Sequence, residues 1–266
     1  MPRANRYFVP GPVGHITHRC HRKAFLLKFA RDRRRYLRWV FEAKKRFDLS
    51  VLDYMITSNH IHLLIKDNGG DVIAQSMQLI AGRTAQEYNQ RKEHHGAFWE
   101  DRYHATAIST DEHLHRCIVY IDLNMVRAGI VEHPAQWVAS GYREIQKPPK
   151  RYAVIDRQTL IESCGFTDVN EFQRAHHRWI EEALASALTR AAHWSEAIAV
   201  GGITFVEQVQ NELGVKARYH SIERGEPTSI LREPSAPYDG NFAGENDALR
   251  LENTVVWDEN GTISES

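Results

Sequence analysis

Residues 49–67, LSVLDYMITSNHIHLLIKD, decide the fold class of this 266-residue chain. Two apolar runs, LSVLDYMI and HIHLLIKD, flank the cluster Thr57-Ser58-Asn59, whose residue types favour turns. Apolar runs of this length, bounded by turn-forming residues, are typical of β-strands. The stretch therefore predicts a pair of antiparallel strands.

The segments on either side of this pair alternate between strand and helix patterns. Further strands are predicted at residues 15–20 and 104–108, and helices at about 32–47, 71–92 and 111–128. The resulting order is strand, helix, strand, strand, helix, strand, helix, with the helices expected on one face of the sheet. We therefore predict an α+β fold, namely a ferredoxin-like antiparallel sheet with helices packed on it, plus a helical C-terminal extension.

The pattern changes after about residue 147. Lys147-Pro148-Pro149-Lys150 predicts a linker, because paired prolines stiffen the chain and cannot continue a helix. Helices are predicted beyond it at about 168–192 and at 203–213, whereas the end of the chain is acidic and poorly periodic. We expect three parts: an N-terminal α+β domain over residues 1–147, a helical extension over 148–231, and an acidic, extended or partly disordered tail over 232–266.

Composition excludes several classes of protein. The chain has no apolar signal-peptide region and no run of about 18 apolar residues, so neither a secretory signal nor a membrane span is predicted. Cys20, Cys117 and Cys164 are widely spaced and form no Cys-x-x-Cys pair, which argues against a disulfide framework and a thiolate zinc site. These features favour a soluble protein of the reducing cytoplasm.

Charge is distributed unevenly, although the formal net charge is zero. Residues 1–50 contain 14 Lys and Arg against 3 Asp and Glu, whereas residues 201–266 contain 5 against 12. This asymmetry favours a nucleic-acid-facing region at the N-terminal end. The alternative interpretation is an ordinary solvated basic helix face.

The first candidate for chemistry is His60-Ile61-His62. On a strand, residues i and i+2 point to the same face, so the two imidazoles can bind one metal ion. With 15 histidines in the chain, a single His-x-His is expected by chance, and a second one occurs at His113-Leu114-His115. That second pair lies in a predicted helix, where i and i+2 diverge.

Tyr120 and Asn124 are the second candidate, because a spacing of four places them on one helical face. A tyrosine hydroxyl, with a free pKa of about 10, is a poor nucleophile and requires an activated electrophile. A phosphodiester polarised by a cation is such an electrophile, and His60 and His62 could bind the cation. The alternative, which is common for such residues, is a core tyrosine and a half-buried structural histidine pair.

Three separated stretches together make a more specific signal. They are SNHIHLLI (58–65), GAFWEDRYHATAI (96–108) and YIDLNMVRAGIVEHPAQWVASGYRE (120–144). They closely resemble the REP-associated tyrosine transposases, a branch of the single-tyrosine transposases within the His-hydrophobic-His nuclease superfamily. The resemblance extends over about residues 6–145.

The resemblance implies a site and a reaction. Tyr120 would attack a DNA phosphate, leaving a 5′-phosphotyrosine link and a free 3′-OH. His60, His62 and Asn124 would bind the divalent cation, Mg²⁺ or Mn²⁺. The implied partner is single-stranded or hairpin DNA beside palindromic repeats, and relatives include both homodimers that share active sites and forms that act alone.

Several basic residues are candidates for DNA contacts. They are Arg19, His21 and Arg22, the helix residues Arg34, Arg35 and Arg38, and, in the extension, Lys216 and Arg218. The alternative for the first two groups is plain surface charge. For Lys216 and Arg218, the alternative is that the extension packs against the catalytic layer and does not contact DNA.

Two departures from the family pattern leave a second function open. The family often has proline where this chain has Ser58 and Met125. Neither position is a predicted ligand or nucleophile, so catalysis remains the leading hypothesis. The alternative is a non-catalytic, domesticated DNA-binding protein that recognises palindromic repeats, and a metal-dependent hydrolase of small phosphates is a third hypothesis.

Overall fold

Seven strands form one sheet in a computed structural model that describes residues 13–110, 112–186 and 191–233. The strands are β1 Val13–Arg19, β2 Ser50–Ile56, β3 His60–Lys66, β4 His104–Ile108, β5 Ala199–Gly201, β6 Ser221–Glu223 and β7 Ser229–Arg232. Their order across the sheet is β2-β3-β1-β4-β5-β7-β6.

Nine α-helices occur in the described residues. They are α1 Ala30–Phe47, α2 Val72–Lys92, α3 Glu112–Asp122, α4 Asn124–Arg127, α5 Gly141–Gln146, α6 Arg157–Ser163, α7 Val169–Ala185, α8 His193–Glu196 and α9 Ile203–Leu213. The helix predicted at 111–128 is thus divided at Leu123, and Asp111 lies outside the described residues. The one predicted at 168–192 ends at Ala185, and residues 187–190 are likewise not described.

The first four strands have the predicted ferredoxin-like arrangement. β1 pairs antiparallel with both β3 and β4, and β3 pairs antiparallel with β2. Because β3 lies between β1 and β2, the connection through α1 is a split strand-helix-strand unit. The predicted α+β fold class is confirmed.

Helices cover both faces of this sheet rather than one. His18 of β1 stacks on Trp99 at 4.0 Å between ring centroids, and Trp99 contacts Tyr36 of α1 and donates to the Ala81 carbonyl of α2. α1 and α2 therefore lie on the His18 face. His15 is an odd number of residues away and points to the opposite face, where α3 and α8 lie.

Coverage on both faces explains the apolar runs of the central strands. All seven residues of β2 are buried, and so are the five central residues of β3. Strands buried on both faces lack the alternation of polar and apolar residues that marks a half-exposed strand. The continuous runs in residues 49–67 are the sequence signature of this burial.

The extension contributes strands as well as the predicted helices. β5 pairs in parallel with β4, matching Ala107 with Ala199, and β7 pairs antiparallel with β5. The extension thereby continues the sheet beyond β4, where it was predicted to be helical. The domain boundary at residues 147–148 stays a prediction, and residues 234–266 of the predicted tail lie outside the described part.

No helix within the described ranges combines the length and apolar character needed to cross a membrane.

Candidate active site

The β2–β3 turn and β3 place His60 and His62 side by side. The two residues are separated by one position on the strand, so their imidazoles share a face, and their ring centroids are 4.9 Å apart. His60 is half-buried at the beginning of β3, and His62 is 3% exposed. The pair therefore lies at the end of the strand, with one ring near the surface and one inside.

α3 and α4 bring Tyr120 and Asn124 to the same place. The Tyr120 ring centroid is 6.1 Å from that of His62, and the Asn124 side-chain amide nitrogen is 3.1 Å from His62 Nε2. Tyr120 is 8% exposed. The four residues predicted from the sequence are thus neighbours in the fold.

Residues of the preceding turn orient the His60 ring. Its Nδ1 lies 2.7 Å from Asn59 Oδ1 and 3.0 Å from Thr57 Oγ1. Since the amide oxygen can only accept, Nδ1 carries the proton and Nε2 carries the lone pair. The turn that the sequence predicted therefore also determines which nitrogen His60 presents.

The His62 ring is held from behind by His15, which the sequence analysis did not identify. His62 Nδ1 is 2.9 Å from His15 Nε2, and the two rings stack with centroids 5.0 Å apart. His15 Nδ1 in turn lies 2.6 Å from the backbone carbonyl of Trp194 in α8. The only sequence signal for His15 is its position in the first predicted strand.

Burial keeps both of these rings neutral. The pKa of His15 is lowered to about 4, mainly by burial, with a smaller lowering from the nearby His104 and an opposing effect of the Trp194 carbonyl. The pKa of His62 is lowered well below the usual value, first by burial and then by the charges of His60, His15 and Arg127. A neutral imidazole is the form that binds metal ions.

The donor set fits a hard divalent cation. When an octahedral ion has metal–ligand distances of about 2.1 Å, its neighbouring ligand atoms lie about 3 Å apart. This is close to the 3.1 Å between His62 Nε2 and the Asn124 side-chain amide nitrogen. A half-turn of that amide would present its oxygen instead of its nitrogen. No group of three or more His, Cys, Asp or Glu side chains in the described residues is arranged to bind an ion. The role of Asn124 as a third ligand beside the two histidines stays a prediction.

Arg127 was also missed by the sequence analysis. Its guanidinium lies 4.2 Å from the Tyr120 ring centroid and donates a 2.6 Å hydrogen bond to the Tyr120 backbone carbonyl. It lies in the stretch YIDLNMVRAG that carried the family resemblance, which is the signal that could have identified it. The contact joins Arg127 of α4 to Tyr120 of α3, across the break at Leu123.

The second His-x-His motif forms no such site. His113 is buried at 2% exposure, whereas His115 stacks on Trp179 of α7 with ring centroids 4.3 Å apart. The His115 ring also lies 3.2 Å from the Cys164 carbonyl through Nε2. The side chains therefore diverge as expected for positions i and i+2 of a helix.

Residues 13–124 match the sequence model of the family described as "Transposase IS200 like". This segment is similar to IS200-like transposases and comprises 112 of the 266 residues. It contains β1 to β4 and ends at Asn124, so all four predicted site residues lie within it. The predicted resemblance to transposases is confirmed for this part of the chain.

Two solved structures are similar to the chain. One is a REP-associated tyrosine transposase bound to a REP hairpin, with 17% identity and a TM-score of 0.46, covering 57% of this chain and 90% of that chain. The other is a protein from Deinococcus radiodurans described as a transposase, with 16% identity and a TM-score of 0.30, covering 39% of this chain and 83% of that chain. No curated protein sequence matches the chain.

Three of the basic candidates lie at the end of the sheet where His60 begins β3. Arg19 pairs in register with His60 across β1 and β3, and its half-exposed guanidinium is 4.0 Å from Glu100. His21 and Arg22 follow in a short 3-10 helix, His21–Lys23, in which Arg22 adopts a positive φ of 53°. The fold thus brings this group close to the candidate site.

The remaining candidates lie elsewhere. Arg34 and Arg38 are exposed on α1, which covers the opposite face of the sheet, and Arg35 forms a 2.9 Å ion pair with Glu87 of α2. Lys216 and Arg218 are exposed at the short helix Gly214–Ala217, beyond residues 13–124 that match the family model. A role of these five residues in DNA binding stays a prediction.

Proposed function

We propose that this chain is a metal-dependent single-strand DNA endonuclease and strand transferase that acts beside palindromic hairpins. Tyr120 is the nucleophile, and His60, His62 and Asn124 bind Mg²⁺ or Mn²⁺. One observation carries the proposal. The Tyr120 ring, the two imidazoles and the Asn124 amide converge within a few ångströms, with the His62 and Tyr120 ring centroids 6.1 Å apart.

The reaction is a transesterification. The Tyr120 phenol oxygen forms a bond to the phosphorus, the bond from phosphorus to the 3′ oxygen breaks, and the phenol proton is transferred in net terms to the released 3′-OH. A bound cation would polarise the phosphodiester and stabilise the developing charge on its oxygens. Because one phosphodiester replaces another, the released 3′-OH can reverse the step or be exchanged for a second strand.

Positive charge around the site supports a phosphate substrate. Arg127 and Arg19 are close enough to His62 to lower its pKa. Guanidinium groups bind phosphate oxygens through paired N–H donors. Arg127 also holds Tyr120 from the side through the contact between its guanidinium and the phenol ring.

The hairpin substrate follows from the three motifs that resemble REP-associated transposases and from the basic N-terminal region. Arg19, His21 and Arg22 lie at the His60 end of the sheet, where a strand entering the site would pass. A basic groove with aromatic or imidazole rings is a common surface for single-stranded DNA. The proposal therefore assigns the first strand contacts to this group.

A covalent-adduct assay tests the proposal. Wild type and Tyr120→Phe are incubated with a library of single-stranded hairpin oligonucleotides, with and without Mg²⁺ or Mn²⁺, and resolved on denaturing gels. We expect a denaturant-resistant protein–DNA adduct for wild type with metal only, and none for Tyr120→Phe. Tyr152→Phe is the matched control, because Tyr152 is 76% exposed and contacts Phe41 of α1 rather than the site.

Three results would contradict the mechanism. Equal adduct or equal cleavage by Tyr120→Phe would remove Tyr120 as the nucleophile, and cleavage by water would indicate a metal-dependent hydrolase. Tight hairpin binding by wild type without any cleavage, in either metal, would instead support the non-catalytic DNA-binding protein.

A further inference from the structure

His15 is fully buried behind the candidate metal site. It lies on β1 in the middle of the sheet, with 0% exposure, and its two ring nitrogens contact two different parts of the molecule. Nδ1 lies 2.6 Å from the Trp194 carbonyl, and Nε2 lies 2.9 Å from Nδ1 of His62. A buried imidazole with both nitrogens engaged has a defined proton arrangement.

The directions of these hydrogen bonds follow from the carbonyl. A carbonyl oxygen can only accept, so the proton of His15 is on Nδ1, and in the neutral ring Nε2 is an acceptor. His62 must then donate from its own Nδ1 to His15. The lone pair of His62 is consequently on Nε2, which faces the side-chain amide of Asn124 at 3.1 Å.

We propose that His15 is a positioning residue for the metal site. By accepting a hydrogen bond from Nδ1–H of His62, it holds that ring in the one tautomer whose Nε2 can bind a cation, and it prevents rotation of the ring. A histidine ligand commonly donates its other N–H to a neighbouring acceptor, which fixes tautomer and orientation. His15 is this acceptor for Nδ1–H of His62, and Asn59 Oδ1 is the corresponding acceptor for Nδ1–H of His60.

The Trp194 carbonyl makes the C-terminal extension part of the same arrangement. Trp194 belongs to α8 and lies beyond residues 13–124, the segment that matches the transposase family. Its carbonyl determines which nitrogen of His15 is protonated, and His15 determines the same for His62. The inference rests on the proposed function in so far as His62 is a metal ligand.

Two amide variants separate the contacts of His15. Glutamine places an amide atom near the position of Nε2, so His15→Gln can accept from His62. Asparagine places its amide nitrogen near the position of Nδ1, so His15→Asn can donate to Trp194 but does not reach His62. Both variants keep the buried position polar and close to the original volume, which makes each the control for the other.

The experiment measures binding of Mn²⁺ alone to the full chain by calorimetry and by electron paramagnetic resonance. We expect the Mn²⁺ affinity of His15→Gln to stay within a few-fold of the wild-type affinity. His15→Asn should bind Mn²⁺ about 10- to 100-fold more weakly, as is typical when a metal-binding histidine loses its hydrogen-bond partner. His18→Asn is a further control, because His18 is a buried histidine of the same strand on the opposite face. It should bind Mn²⁺ like wild type.

Nitrogen NMR of the histidine rings gives a readout that needs no metal and no activity. We expect His62 to carry its proton on Nδ1 in wild type and in His15→Gln, and to shift toward the Nε2-protonated form in His15→Asn. Wild-type His62 protonated on Nε2, or His15→Asn with unchanged tautomer and unchanged Mn²⁺ affinity, would overturn the inference. If wild type binds no Mn²⁺, the metal site of the proposed function fails, while the ring tautomers still decide the role of His15.

Discussion

The Asn124 side-chain amide lies 3.1 Å from Nε2 of His62. The contact joins the first residue of α4 to the central part of β3, and it depends on the break of the helix at Leu123. Met125 is the second residue of α4, at a position where the family resemblance predicts proline, and the break forms without one.

Substitution of Asn124 should separate ligand chemistry from folding. Asn124→Ala removes the amide oxygen, so we expect Mn²⁺ affinity to fall by at least about tenfold, whereas Asn124→Asp keeps an oxygen donor and should retain or strengthen binding. Calorimetric titration of each full-length variant with Mn²⁺ measures both. Wild-type affinity in Asn124→Ala would exclude this residue as a ligand.

Arg127 should matter both for stability and for the reaction. Arg127→Met removes the contact with the Tyr120 ring and the bond to its carbonyl, which predicts a loss of about 2 kcal/mol in unfolding free energy. Adduct yield should fall as well, because Tyr120 loses its lateral support. Denaturant titration and the adduct gel provide the two measurements.

Arg116 is the matched control for Arg127. It lies on α3 and forms an exposed ion pair with Glu112 one turn away, a type of pair that contributes less than about 1 kcal/mol. Arg116→Met should therefore change neither stability nor adduct yield appreciably. Equal effects of the two substitutions would refute a specific role for Arg127.

The buried carboxyl group of Asp53 predicts a pH-dependent stability. Burial, followed by the charge of Asp122, raises the pKa of Asp53 well above its usual value. The folded state then binds more protons than the unfolded state above about pH 4, so the stability contributed by Asp53 is lost as the pH rises. Wild type should accordingly lose stability from this group progressively as the pH rises above about 4.

Asp53→Asn tests this dependence. The amide oxygen can still accept from the Tyr54 backbone N–H, at 2.8 Å in wild type, but it cannot ionise. We expect the variant to melt about 2–4 °C above wild type at pH 8, with a smaller difference at pH 5. Calorimetric melting at both pH values checks this. A difference in melting temperature between Asp53→Asn and wild type that becomes smaller with rising pH would contradict the raised pKa of Asp53.

Two ion pairs between α1 and α2 should differ in strength. Asp32 and Arg91 form a close pair in which the Asp32 side chain is 2% exposed, whereas the Arg35 and Glu87 side chains are 42% and 27% exposed. Arg91→Met leaves the buried Asp32 carboxylate unpaired, so it should lower the free energy of unfolding by about 3–5 kcal/mol. Arg35→Met should cost about 1 kcal/mol or less.

Denaturant unfolding of both single variants measures the difference. The double substitution Asp32→Leu with Arg91→Met removes the unpaired charge, so it should recover much of the loss seen for Arg91→Met alone. A double variant that is less stable than the single one would show that packing, rather than the buried charge, accounts for the effect.

The site could be predicted in part because its residues lie in local patterns. The spacing of His60 and His62 on a strand, and of Tyr120 and Asn124 on a helix, already places each pair on one face. The family resemblance predicted that the two pairs belong to one site. In the structure, Tyr120 and Asn124 both lie beside His62. Arg127 lay in the same motif but had no spacing that distinguished it from any helical arginine.

The extension could be predicted only as helices. β5, β6 and β7 have three or four residues each, too few for alternation to be recognised. β5 forms because the edge of β4 offers unpaired backbone groups, with Ala107 opposite Ala199. Such pairing depends on a neighbour that the local sequence does not reveal.

The sequence by itself determined the order of the first four strands and of the long helices between them, the faces shared within each element and the resemblance of residues 13–124 to transposases, because these depend on periodicity and on motifs of a few residues. Only the tertiary structure decided that His15 lies between His62 and the Trp194 carbonyl, partners 47 and 179 residues away in the chain. Strand register and the docking of α8 create those contacts. Hydrogen bonds over such separations leave no periodic trace in the amino-acid sequence.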